Sequence, residues 1–173
     1  MKINLIRLIS TVAALTIVSA NVAVAENSGK PAIGVMLEAM ASGKCIDNAG
    51  SRKHGAGLQG WKCNTRNLNQ RFAVTSYGKT KRAMAIRNKL SGLCLDVQRQ
   101  STKAGARIVQ NRCGNSKSQN WEFMKSGAKD WFLIQARHSH LCLALTRTGK
   151  RDTYLTQSSC NKKDANQKFK RRS

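Results

Sequence analysis

Carboxylates are scarce in this chain: eight Asp and Glu stand against 31 Lys and Arg. They form no close acid pair, so glycoside hydrolysis has little support. Gly-x-Ser-x-Gly and His-Glu-x-x-His are both missing, which removes two common signs of a serine nucleophile and a zinc protease. Histidine is limited to His54, His138 and His140. The run His138-Ser139-His140 has no carboxylate or free thiol beside it to complete a metal's ligand set. No segment keeps a helical period over a useful length, and there is no second long apolar run beyond the N-terminus. These absences describe a protein that is not an enzyme and carries neither cofactor nor metal.

The apolar sequence that does occur lies at the start. Lys2 and Arg7 precede the stretch Leu8 to Val18, and Ala23-Val24-Ala25 forms an A-x-A cleavage pattern before Glu26. A bilayer span needs ~20 strongly apolar residues, and this stretch is short and diluted by Ser and Thr. Residues 1–25 therefore read as a secretory signal peptide. Residues 26–33, with Ser, Gly and the single Pro31, read as an N-terminal lead. The mature chain of 148 residues is long enough for one domain with a real core. Its destination is secreted or periplasmic.

Loss of Lys2 and Arg7 lowers the net charge from +23 to +21. Basic residues run through the whole body, with denser runs at Lys79-Thr80-Lys81-Arg82 and Lys168-Phe169-Lys170-Arg171-Arg172. Such a body attracts polyanions and anionic surfaces, whether acidic glycans, lipopolysaccharide or a membrane face. For an exported chain, nucleic acid is the less favoured partner.

The strongest internal signal is a segment written three times. Cys45-Ile46-Asp47, Trp61-Lys62-Cys63 and Gln70-Arg71-Phe72 are followed by Cys94-Leu95-Asp96, Cys113 and Gln119-Asn120-Trp121. Cys142-Leu143-Ala144, Cys160 and Gln167-Lys168-Phe169 complete the series. The first cysteines of the units lie 49 and 48 residues apart. A fixed period of this kind marks one supersecondary unit built several times over. An even cysteine count in an exported chain points to disulfides, and the repeat selects Cys45–Cys63, Cys94–Cys113 and Cys142–Cys160. Each unit opens on a short, partly alternating apolar run: Val35 to Met40, Met84 to Lys89, and Phe132 to Arg137. A turn follows at Ser42-Gly43, Ser91-Gly92 or Ser139-His140, then a Cys-aliphatic strand and a second strand. In the first two units that second strand is Gly57 to Cys63 and Ala106 to Cys113. A polar loop then leads to a Gln-x-aromatic strand. About four short strands per unit are expected, closing around a shared axis. The units span about residues 34–76, 82–125 and 130–173. The repeated Gln, polar beside a buried aromatic, should bond backbone inside its own unit.

With a Cys-aliphatic pair, a second cysteine and a Gln-x-aromatic in register three times, the chain resembles the ricin B-type lectin family, whose unit pattern is Cys-Leu-Asp, Trp-x-Cys and Gln-x-Trp, over about residues 34–170. The resemblance implies an all-β fold, a β-trefoil of three four-stranded units. Phe72 and Phe169 stand where the family usually has Trp, and the third unit lacks the Asp. What the resemblance further implies is a glycan site. Asp47 would supply its carboxylate, Gln59 and Trp61 would line it, Asn69 would give an amide, and Gln70 would steady the Asp. The second unit keeps Asp96 and Gln119 as a weaker candidate, but has Val109, Asn111 and Ser118 at the other places. There Asp96 reads better as a turn cap. The third unit has Ala144, Thr156 and Ser158 and keeps only Asn166 and Gln167, which makes it structural. Trp121 should be core, and Trp131 core or bottom-face packing. His54 is expected to face solvent.

The leading functional reading is thus an exported lectin for cell-surface or extracellular glycans, galactose-type sugars among the candidates. One pocket in the first repeat does the binding, and a toxin or enzyme subunit from another gene is a candidate partner. The alternative is a basic exported protein that binds polyanions or a protein by charge, with a vestigial sugar pocket.

Overall fold

The computed structural model describes residues 34–76, 82–148 and 152–173. The signal peptide, the lead at 26–33 and the basic residues 79–81 lie outside the described residues. The first unit contains β1 (Met36–Ala39), β2 (Lys44–Asp47), β3 (Ala56–Gly57), β4 (Gln59–Lys62) and β5 (Phe72–Ser76). The second has β6 (Met84–Asn88), β7 (Cys94–Val97), β8 (Ile108–Asn111) and β9 (Trp121–Lys125). The third has β10 (Phe132–Ala136), β11 (Cys142–Thr148), β12 (Asp152–Ser158) and β13 (Phe169–Arg172). All the pairings between these strands are antiparallel, and the described residues contain no α-helix. None of the described helical turns is long or apolar enough to cross a membrane.

The first and last strands of each unit form a closed ring. β1 pairs β13, β13 pairs β10, β10 pairs β9, β9 pairs β6 and β6 pairs β5. A bridge from Val35 to Phe72 joins β5 back to β1. The closing contacts repeat: Val35 opposite Phe72, Met84 opposite Trp121, Phe132 opposite Phe169. Closure leaves this ring no free strand edge. The inner strands form three hairpins, β2 with β4, β7 with β8 and β11 with β12.

Four sets of three equivalent side chains fill the centre. Leu37, Ile86 and Ile134 form one, and Ile46, Leu95 and Leu143 another. Leu58, Ile108 and Leu155 form a third, and Phe72, Trp121 and Phe169 the fourth, all with 0% exposure. This threefold arrangement is the closure around a shared axis expected from the repeat, and the β-trefoil that the family resemblance implied. Trp121 donates its indole N–H to the Leu95 carbonyl at 3.1 Å. Phe at the two equivalent places makes no such bond, but it leaves no buried donor unsatisfied. Trp131 is not in that core cluster; it is half-buried with the Lys170 ammonium 4.8 Å from its ring centre. The three disulfides pair Cys45 with Cys63, Cys94 with Cys113 and Cys142 with Cys160.

Two local expectations change. The segment Gly57–Cys63 is not one strand but is split at Leu58. There the Leu58 N–H goes to the Ile108 carbonyl and the Leu58 carbonyl takes the Leu155 N–H. One residue thus ties the first unit to both of its neighbours, while β3 pairs β8 and β4 pairs β2. The repeated Gln also lies before its strand, in a 3₁₀ turn: Leu68–Gln70, Lys117–Gln119 or Ala165–Gln167.

Candidate functional site

The β2–β4 register sets Cys45 opposite Trp61, Ile46 opposite Gly60 and Asp47 opposite Gln59. Side chains alternate between faces along a strand, and directly opposed residues share one. Asp47, Gln59 and Trp61 therefore lie on a common face. Ile46 turns into the core, and Gly60 leaves room there for Leu145, whose Cδ2 would sit 2.6 Å from a Cβ at residue 60. The Trp61 ring is 57% exposed, whereas Asp47 is 2% exposed.

Gln70 is wholly buried and acts as a clamp. Its Nε2 donates to Asp47 Oδ2 and to the Lys62 carbonyl, both at 2.9 Å, and its Oε1 accepts the Asn64 N–H at 2.8 Å. Asp47 Oδ1 accepts the Ala49 N–H at 2.6 Å. Asn69 is half-buried beside Gly50, and its backbone carbonyl takes the Asn48 N–H and Asn88 Nδ2. Its carboxamide makes no hydrogen bond within the described residues. A hollow of about 430 Å³ lies against Trp61, walled by Lys62, Cys63, Asn64, Thr65 and Asn67. Of the five residues singled out in the sequence, this hollow takes only Trp61. Asp47 and Gln70 are buried as a hydrogen-bonded pair, and Gln59 and Asn69 are half-buried. The walls from Asn64 to Asn67 were missed by sequence reasoning. The available signal was the polar loop that Gln70 anchors through Asn64.

The second unit solves the same problem differently. Asp96 is 5% exposed. Ser118 donates to its Oδ1, and Asn111 Nδ2 and Gln119 Nε2 both donate to its Oδ2 at 3.0 Å. Three side chains of its own unit thus occupy the carboxylate, and no aromatic ring stands at Asn111. Gln119 also clamps backbone, reaching the Arg112 carbonyl and the Gly114 N–H. In the third unit Ala144 replaces the acid, and Gln167 turns to Ser158 Oγ and the Ser159 carbonyl, both at 2.9 Å. The Gln clamp is therefore common to all three units, and the exposed ring belongs to the first alone.

Elsewhere, His54 is exposed and lies beside Arg112. His138 and His140 fall on a turn rather than a strand, and no group of three metal-binding side chains occurs among the described residues.

No curated protein sequence matches the chain. Solved structures do. A designed threefold-symmetric protein, ThreeFoil, superposes with a TM-score of 0.73 at 24% identity, covering 80% of this chain and 97% of that one. An exo-β-1,3-galactanase from Clostridium thermocellum gives 0.71 at 25% identity, covering 79% of this chain and 29% of the other. The ricin B-like lectin of Macrolepiota procera, solved with lactose, gives 0.64 at 18% identity, covering 79% and 92%. The chain spans less than a third of the galactanase it matches. The family model of the ricin-type β-trefoil lectin domain matches residues 34–169. Family match, threefold core and repeated Gln clamp agree: the chain belongs to the ricin-type β-trefoil lectin family of carbohydrate-binding modules.

Proposed function

We propose that the protein is an exported lectin that binds cell-surface or extracellular glycans through one principal site, in the first unit. The observation that carries this reading is the contrast between equivalent positions. Trp61 offers an exposed ring on the same hairpin face as a carboxylate held, among the described residues, by Gln70 and Ala49. Asp96 is occupied by Ser118, Asn111 and Gln119, and the third unit has no acid. A flat apolar ring packs against the C–H face of a pyranose, and fixed acceptors and amides orient its hydroxyls. Asn69 supplies the amide and Gln59 an additional polar wall. Galactose-type sugars are favoured by analogy with the lactose-bound relative and the galactanase. A toxin partner is supported by the likeness to part of a mosquitocidal holotoxin, with a TM-score of 0.67 at 18% identity.

A glycan array read at low and high salt tests the site. Neutral-sugar signals should persist in salt and vanish in Trp61→Ala and Asp47→Ala. Retention of those signals in both variants would sink the assignment to this unit. The second reading, charge-driven binding of polyanions, rests on the excess of 31 basic over eight acidic residues. Binding of that kind should fall steeply with salt and ignore both substitutions.

A further inference from the structure

The face that carries Trp61 does not end with its own unit. β4 lies between β2 and β12, and on the β12 side Gln59 stands opposite Tyr154. Directly opposed residues share a face. Asp47, Gln59 and Tyr154 thus form one row across three strands, with Trp61 two residues along β4. Strands ~4.8 Å apart with a rise of ~3.4 Å per residue put the Cα atoms of Trp61 and Tyr154 about 8 Å from each other. That span suits two linked sugar rings.

Tyr154 is half-buried, and its companion comes from the second unit. The Arg107 guanidinium lies over the Tyr154 ring, 4.0 Å from its centre. Gly57 makes the room: a Cβ there would sit 3.0 Å from Arg107 Nη2. Gly57, Arg107 and Tyr154 precede Leu58, Ile108 and Leu155 of the core, so they hold equivalent places in the three units. A strict repeat would gather three like side chains here. This chain gathers a glycine, a cation and a ring, which fit one another.

A guanidinium stacked on a ring keeps its charge, and its planar N–H fork matches a carboxylate through two parallel bonds. Among the described residues no carboxylate pairs with Arg107: Glu38 goes to Lys170 and Arg172, and Glu122 to Arg137. The Gln59 carboxamide beside Tyr154 likewise makes no hydrogen bond within the described residues. A lone exposed cation is only a solvated side chain. A cation held on a ring of the Trp61 face, next to an unused amide, is a place for an acid.

We propose that the first-unit site continues across the unit boundary and takes an acidic saccharide. One sugar stacks on Trp61, and a carboxylate-bearing sugar linked to it pairs with Arg107, which Tyr154 positions; the Gln59 carboxamide bonds hydroxyls between them. The proposal rests on the Trp61 reading and adds the substrate class to it.

The test is an array of matched glycans, each neutral member beside its uronate counterpart, read with the intact protein at physiological salt. The uronate member should bind about tenfold tighter, as one charge-assisted hydrogen bond gives. Arg107→Gln should remove that gain and leave the neutral member unchanged. Tyr154→Ala should shrink the gain and Tyr154→Phe, which keeps the ring, should restore it. Lys117→Gln, an exposed cation elsewhere, should keep the gain in full, and Trp61→Ala should abolish both signals. Equal binding of the two members would overturn the proposal and spare the Trp61 reading. So would a gain that survives Arg107→Gln, or one lost as much in Lys117→Gln. Uronate binding that persists in Trp61→Ala, or no signal on any pair, would sink the Trp61 reading and this proposal with it.

Discussion

At the scale of single residues, exposure separates the roles of Asp47 and Trp61. Trp61→Ala should abolish glycan binding yet leave unfolding free energy within about 0.5 kcal/mol, as surface substitutions usually do. Asp47→Ala removes partners from Gln70 Nε2 and the Ala49 N–H, so it should also lower stability by about 1–3 kcal/mol in urea unfolding. Equal stability losses would mean that the ring is structural. The second unit offers the converse experiment. Asn111 and Ser118 hold Asp96, so Asn111→Trp, Ser118→Asn and Val109→Gln together remove those donors and supply the ring and amides. Calorimetric stoichiometry should then rise from about one glycan per chain to about two if the hairpin geometry alone makes the site. Part of this was legible in the sequence. The missing ring at Asn111 and missing amide at Ser118 could be read by aligning units. That both residues donate to Asp96 could not, because a register says which positions correspond and not where a hydroxyl turns. The buried cluster of Asn48, Asn88 and Gln110 was equally hidden. It joins two units. Gln110 is repeated as Gln157, which bonds the Ser101 and Lys103 carbonyls as Gln110 bonds those of Ser51 and Lys53, but Asn48 and Asn88 have no like residue in the other units.

At the scale of elements, the turn after the first strand of each unit carries a left-handed residue: Gly43 (φ 62°), Gly92 (φ 70°) and His140 (φ 58°). A Cβ in this conformation is strained, and only glycine adopts it freely. His140→Gly should therefore raise stability by about 1 kcal/mol, measured as a higher urea midpoint at unchanged slope. The hairpin β2–β4 makes the opposite demand. Leu145 of the third unit fills the space over Gly60, so Gly60→Ala should cost about 1–3 kcal/mol by overpacking. The sets of three, such as Ile46, Leu95 and Leu143, were visible because repetition places like residues at like positions. The contact of Gly60 with Leu145 was not, because it crosses between units at positions that do not correspond. The split of the expected strand at Leu58 also comes from between units, here at corresponding positions: its backbone partners are Ile108 and Leu155.

At the scale of the molecule, the ring depends on the pairing of β1 with β13. Glu38 reinforces it, 2.8 Å from the Arg172 guanidinium and 3.4 Å from the Lys170 ammonium. Removing residues 169–173 deletes Phe169 from the core and takes β13 from between β1 and β10, opening the ring. Such a chain should lose its cooperative thermal transition and bind a hydrophobic dye; a sharp transition would show that the remaining units close without it. Threefold closure was readable from the repeat period. In the third unit the Gln167-Lys168-Phe169 repeat marked a last strand, but its return to pair with β1 was not readable, since neither segment's sequence names its partner. That return has a practical consequence. Because Met36 lies opposite Arg172, a short linker can join the two ends of the described fold, and the backbone can be reopened at 126–130. A circular permutant of this kind keeps every ladder, so the order in which the lobes are synthesised is a property of the gene and not a requirement of the shape.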